Sequence, residues 1–67
     1  MVFGERLQQL MTEKKVTQVE LASAIGFSQR AISKWLNNQA EPTATAIYKC
    51  AQYFGATSDY LLGLSEC

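Results

Sequence analysis

Polar side chains recur at helical spacing in residues 29–37, and they are of types that can hydrogen-bond to the edges of nucleic-acid bases. They are Gln29, Arg30, Ser33, Lys34 and Asn37. At about 100° per residue they share one face of a helix, and the apolar residues between them share the other. A glutamine amide can pair with adenine N6 and N7, and arginine or lysine with guanine O6 and N7. The acid-free polar face therefore suits a major groove, although an isolated helix with a solvated face would look the same.

Catalytic and metal-binding chemistry has few candidate residues. The chain contains no histidine and two cysteines, which removes Ser-His-Asp and Cys-His sites and leaves too few soft ligands for zinc. We therefore expect a protein that is not an enzyme and that uses no metal or other cofactor, and no small-molecule ligand is evident. Cys50 lies on an apolar helical stripe and is expected in the core. Cys67 is terminal and is expected to be exposed.

The composition fits one folded domain spanning residues 1–67. The chain is 48% hydrophobic and 18% charged, as is usual for a globular protein. A chain of this length buries only about 60% of its unfolded surface, so nearly every large apolar side chain must enter the core. No apolar run approaches the ~18 residues that a membrane span needs. We expect a cytoplasmic protein without a membrane partner.

The formal net charge is zero, which argues against a binding mode based on electrostatics alone. The charges are nevertheless uneven, +2 over residues 1–38 and −2 over residues 39–67. The polar face described above lies in the positive part.

Apolar spacing and capping residues predict five short helices and no strand. An apolar stripe that begins at Phe3 predicts a first helix over about residues 3–14. Thr17 and Glu20 form a capping box that begins a second helix, and Gly26 suits the left-handed residue that ends it.

The remaining helices follow from similar signals. Ser28 caps a third helix that continues to about Leu36, where two asparagines tolerant of left-handed backbone end it. Thr43 caps a fourth helix that ends at Gly55. Ser58 is expected to cap a fifth, over residues 59–62, which Gly63 stops.

The tight glycine turn between the second and third helices predicts a helix-turn-helix arrangement. In such an arrangement the second of the two helices enters the major groove, which favours base contacts over a plain solvated face. Ala22 suits the steep crossing of the two helices, although a core alanine would serve equally well. Trp35 falls on the inward side of the third helix and is expected to anchor the core or its rim.

Several stretches resemble the Cro/phage-repressor helix-turn-helix family, the λ-repressor-like DNA-binding domains of the xenobiotic-response-element type. They are Thr17-Gln18-Val19-Glu20-Leu21-Ala22, Ile25-Gly26-Phe27-Ser28, Ile32-Ser33-Lys34-Trp35 and the segment from Phe54 to Gly63. The likeness covers nearly the whole chain. It implies an all-α, compact five-helix domain with the helix-turn-helix in helices two and three.

The resemblance also implies roles for individual residues. The family's base-reading positions fall on Gln29, Arg30, Ser33 and Lys34. Its phosphate contact at the start of helix two falls on Gln18, aided by the helix dipole, and Ser28 and Asn37 fall near the DNA backbone. Relatives pair through the fifth helix, so the dimer surface is expected at Tyr60, Leu61 and Leu64, although Leu61 could equally be core. Lys14 and Lys15 could face either a phosphate or solvent.

Two positions depart from the family pattern. Many relatives carry a partly buried arginine–glutamate pair where this chain has Met11 and Leu36, so we expect a dry apolar contact there. Asn38 replaces a usual glycine, and asparagine can adopt the left-handed backbone that this position needs.

Together these features predict a sequence-specific regulator of transcription, expected to be a repressor, that binds a palindromic double-stranded DNA site as a homodimer. A symmetric dimer is expected because one module of this size offers little contact area. Two alternatives remain open. One is the antitoxin of a toxin–antitoxin pair, and the other is a protein-interaction module that has lost DNA binding.

Overall fold

The computed structural model describes residues 2–64, which form five α-helices and contain no strand. The helices are α1 (Phe3–Lys14), α2 (Gln18–Ile25), α3 (Gln29–Leu36), α4 (Ala44–Phe54) and α5 (Ser58–Leu62). The predicted all-α class and the order of the five helices are confirmed. Cys67, expected to be exposed, lies outside the described residues.

The helix ends confirm most of the predicted caps. Thr17 and Glu20 form the complete capping box, and the Oγ atoms of Ser28 and Thr43 accept backbone N–H groups at the starts of α3 and α4. The prediction for α5 was wrong by one residue. Thr57 is the N-cap and accepts the Tyr60 N–H at 3.0 Å, because its backbone is extended whereas Ser58 has already entered the helix.

Two residues other than glycine have left-handed backbone, Lys15 at φ 56° and Asn38 at φ 57°. The expectation for Asn38 is therefore confirmed. Lys15 ends α1 in the position where glycine is most favourable. There the Val16 N–H bonds back to the Met11 carbonyl at 2.9 Å.

Every helix contributes to one apolar core. Its buried side chains are Phe3, Leu7, Leu10, Met11, Leu21, Ala22, Ile25, Ile32, Trp35, Ala46, Cys50, Ala51, Phe54 and Leu61. No polar or charged residue among those described is buried. Burial of Cys50 confirms its predicted place in the core. It also raises the pKa of its thiol to about 11, because the thiolate would lose its solvation.

Met11 lies inside this core, and Leu36 is half-buried and packs against it. The direct contact between the two side chains stays a prediction. Among the described residues no helix is long and apolar enough to cross a membrane.

Candidate nucleic-acid interface

The α2–α3 connection is a three-residue turn held by backbone hydrogen bonds. Gly26 has φ 75°, and both its N–H and that of Phe27 donate to the Ala22 carbonyl, at 2.9 and 3.1 Å. This pattern is a Schellman-type end of α2. Ser28 follows as the cap of α3.

Aromatic packing fixes which face of α3 points inward. Trp35 is buried and makes T-shaped contacts with two rings, Phe3 of α1 at 6.0 Å and Phe27 of the turn at 5.3 Å between centroids. Ile32, one turn earlier, is wholly buried. Edge-to-face pairs of this kind stabilise a fold beyond their buried area. The predicted inward role of Trp35 is confirmed.

Gly4 brings α1 unusually close to the carboxyl end of α3. A Cβ at this position would lie 2.5 Å from the Trp35 carbonyl oxygen and 3.3 Å from that of Leu36. Only a residue without a side chain allows this approach. No sequence pattern marks Gly4, because a glycine within a helix carries no signal of which backbone it faces.

The opposite face of α3 is open to solvent and carries the four predicted base-contacting residues. Gln29, Arg30 and Lys34 are exposed and Ser33 is half-exposed. None of the four side chains is hydrogen-bonded to another of the described residues. The structure thus brings these four donors and acceptors together on one face, where they remain available to a ligand.

The three predicted phosphate-contacting residues lie at helix ends, Gln18 at the start of α2 and Ser28 and Asn37 at the two ends of α3. Gln18 is the first residue of α2 and is half-exposed. Ser28 Oγ accepts the Ala31 N–H at 3.1 Å, and its own O–H can still donate. The Asn37 side chain donates from Nδ2 to the Ser33 carbonyl at 3.0 Å, which leaves its second amide hydrogen and its oxygen.

Lys49 of α4 contacts the turn through its ammonium group. Its Nζ donates to the Ile25 carbonyl at 3.3 Å and lies 6.0 Å from the centroid of the Phe27 ring. No local sequence pattern marks this residue, because the bond joins positions 24 apart.

The residues expected at a dimer surface have different environments. Leu61 is wholly buried, so it belongs to the core and not to a contact surface, because it already packs within its own chain. Tyr60 is half-buried; its hydroxyl lies 3.4 Å from Gln9 Oε1, and the Arg6 guanidinium stacks 4.5 Å from its ring centroid. Leu64 is 75% exposed.

Residues 7–61 match the profile of the helix-turn-helix family. The chain belongs to this family. Among curated proteins, this helix-turn-helix chain is 39% identical over 66 residues to the HTH-type transcriptional activator BcrR of Enterococcus faecalis, covering 98% of this chain and 32% of that protein. It is 30% identical over 61 residues to repressor protein C2 of Salmonella phage P22, covering 91% of this chain and 28% of that protein.

A solved structure supports the same family relationship. The DNA-binding domain of the P22 C2 repressor superimposes with a TM-score of 0.86 at 29% identity, over the whole of this chain and 91% of that one. The predicted resemblance to phage repressors, and the five-helix fold it implied, are confirmed. The helix-turn-helix chain spans about a third of the length of BcrR and of the C2 repressor.

Proposed function

We propose that this chain is a sequence-specific double-stranded DNA-binding domain of a transcription regulator that inserts α3 into the major groove. The observation that carries the proposal is the outer face of α3. Its base-reading side chains have no partner among the described residues, and the buried Trp35 behind them fixes their direction. The names of the relatives, a transcriptional activator and a repressor, support the same class of function.

The dimensions of the domain suit this placement. An eight-residue helix is about 12 Å long, similar to the width of the major groove. The described residues extend 27 × 23 × 20 Å, less than the roughly 34 Å that separates successive major grooves on one face of DNA. Two copies can therefore lie side by side on a palindromic site, each with its α3 in a groove.

A surface around α5 is proposed for pairing of the two copies. Leu64 is 75% exposed and Val2 37% exposed, and the Val2 side chain covers the α-carbon of Gly63. Val2 thus extends the apolar surface that Tyr60 and Leu64 were expected to form. Leu64→Glu should weaken dimerisation without unfolding the domain, because this side chain makes little contribution to the core. Sedimentation equilibrium measures the change, and an unaltered dimer would exclude Leu64 from the interface.

Repression is the regulatory outcome we propose. A domain that occupies a promoter site excludes polymerase with no further contact, whereas activation requires a second surface that engages the transcription machinery. The named activator BcrR, 39% identical, favours activation as the second candidate. Transcription in vitro from a template carrying the selected site separates the two, since the added protein either lowers or raises the amount of transcript.

Selection of binding sites from random duplex DNA at moderate salt tests the proposal directly. Enrichment of a two-fold symmetric site is expected. No enrichment by a folded protein would refute the proposal and favour a partner that is not DNA.

Two substitutions then test the assigned contacts on the selected site. Arg30→Ala should cost about 1–3 kcal/mol and relax preference at one base pair, whereas Gln18→Ala should weaken binding to all sequences alike. Gln52→Ala, at an exposed position on α4, is the control and should change neither. Unchanged affinity and preference in Arg30→Ala would exclude α3's outer face as the base-reading surface.

A further inference from the structure

Lys49 is the only lysine or arginine in residues 39–67. The residue as a whole is exposed, but its ammonium group reaches the carboxyl end of α2. Nζ donates to the Ile25 carbonyl, one of the last in α2. These carbonyls have no partner within their own helix and form its negative end. The last turn of α2 contains no basic residue of its own. Lys49 of α4 therefore supplies from another helix the cation that the end of α2 lacks.

The same ammonium group reaches the turn from a second direction. It lies 6.0 Å from the centroid of the Phe27 ring, within the distance at which a cation and an aromatic face attract each other. The Phe27 ring in turn packs at 5.3 Å against Trp35, the inward anchor of α3. Lys49 thus contacts the end of α2 directly. It is also linked to Trp35 of α3 through the Phe27 ring.

We infer that Lys49 is a positioning residue that fixes the α2–α3 turn, and with it the angle of α3 on DNA, without contacting DNA. The inference rests on the function proposed above. Specific binding requires Gln18 at the start of α2 and the outer face of α3 to be placed at the same time. A loosened turn would disturb this joint placement, whereas non-specific binding requires only approximate contact with phosphates.

Lys49→Met tests the inference, because methionine keeps a flexible stem of similar reach and removes both the charge and the donor. Affinity for the selected site should fall about three- to tenfold, while affinity for a random duplex should change less than twofold. The slope of log affinity against log salt concentration should stay at the wild-type value. Lys49→Arg, which keeps a charged donor, should restore the wild-type ratio of the two affinities.

Lys34→Met provides the comparison for a cation that faces DNA, and it should reduce the salt slope by about one. A merely structural defect would lower the folded fraction and so reduce both affinities by the same factor, leaving their ratio unchanged. Backbone ¹⁵N–¹H spectra give a second readout. The amide signals of Gly26 and Phe27 should shift in Lys49→Met and return in Lys49→Arg.

Three results would overturn the inference: a salt slope reduced by one in Lys49→Met, an unchanged affinity ratio, or unshifted turn amides. If Lys49→Met is unfolded, Lys49→Gln takes its place, since it keeps a donor without the charge. Absence of any preferred site for the wild-type protein would refute the proposed function instead. In that case the amide signals still decide whether Lys49 holds the turn.

Discussion

Gly4→Ala should destabilise the domain although alanine is the better helix former. A Cβ at this position would lie 2.5 Å from the Trp35 carbonyl oxygen, about 0.9 Å closer than ordinary contact, which begins near 3.4 Å. The obstacle is backbone, so no side-chain rotation relieves it, and the start of α1 must move away from the end of α3. Overpacking of this kind costs about 1–3 kcal/mol.

Helix propensity offsets part of this cost, because alanine is favoured over glycine by up to about 1 kcal/mol inside a helix. If the clash costs about 3 kcal/mol and the gain in helix propensity returns about 1 kcal/mol, the free energy of unfolding should fall by about 2 kcal/mol. For a domain of this size such a loss lowers Tm by roughly 8–16 °C. Urea unfolding followed by fluorescence is a direct assay, since Trp35 is the sole tryptophan and is buried.

Gly26→Ala is the matched control. A Cβ at Gly26 would have no neighbouring atom within 4 Å, whereas its backbone has φ +75°. Its cost should come from left-handed backbone alone, about 1 kcal/mol, with the packing of Trp35 unchanged. Gly4→Ala should in addition alter Trp35 fluorescence in the folded state, because the α1–α3 contact changes. Wild-type or higher stability of Gly4→Ala would refute the argument that backbone approach, and not helix propensity, decides this position.

Three further predictions concern stability and reactivity. Leu36→Glu should lower the free energy of unfolding by about 1–3 kcal/mol, because it places an unpaired carboxylate beside the core that contains Met11; an unchanged Tm would exclude the dry contact. Lys15→Gly should raise the free energy of unfolding by about 1 kcal/mol, since it relieves left-handed backbone at φ 56°, and urea unfolding would show a higher midpoint. Burial raises the pKa of the Cys50 thiol from 9.0 to about 11, so the contribution of its protonated form to stability is complete below pH 9 and is lost as pH rises towards 11. Iodoacetamide at pH 8 should therefore label Cys50 slowly until urea unfolds the chain, and rapid labelling of the folded protein would contradict its burial.

Part of the site was predictable because its signals are local. The polar and apolar residues of α3 separate by helical periodicity alone, and the structure places Trp35 inward and Arg30 outward as predicted. The capping box of α2 and the cap of α3 join residues three positions apart, so they too are visible in sequence. The start of α5 was predicted one residue too late, because Thr57 and Ser58 are adjacent hydroxyl residues of similar capping preference.

The supports of α3 could not be predicted, because they join distant parts of the chain. The sequence left Leu61 open between a dimer surface and the core, since periodicity in so short a helix does not say which face the other helices cover, and it lies in the core. Lys49 bonds a carbonyl 24 positions away, and its sequence neighbours on α4 give no sign of it. Gly4 faces the end of α3, and its role depends on a separation between backbones that no pattern of residue types encodes.

The sequence by itself therefore determined where the first four helices begin and end, and which face of α3 carries polar groups, because capping and amphipathic spacing act within a few residues. Tertiary structure decided how α3 is held: by Gly4 against Trp35, by the aromatic contacts of Trp35 with Phe3 and Phe27, and by Lys49 at the end of α2. These interactions arise only once the five helices pack together, since each depends on a distance between residues that are remote in the chain.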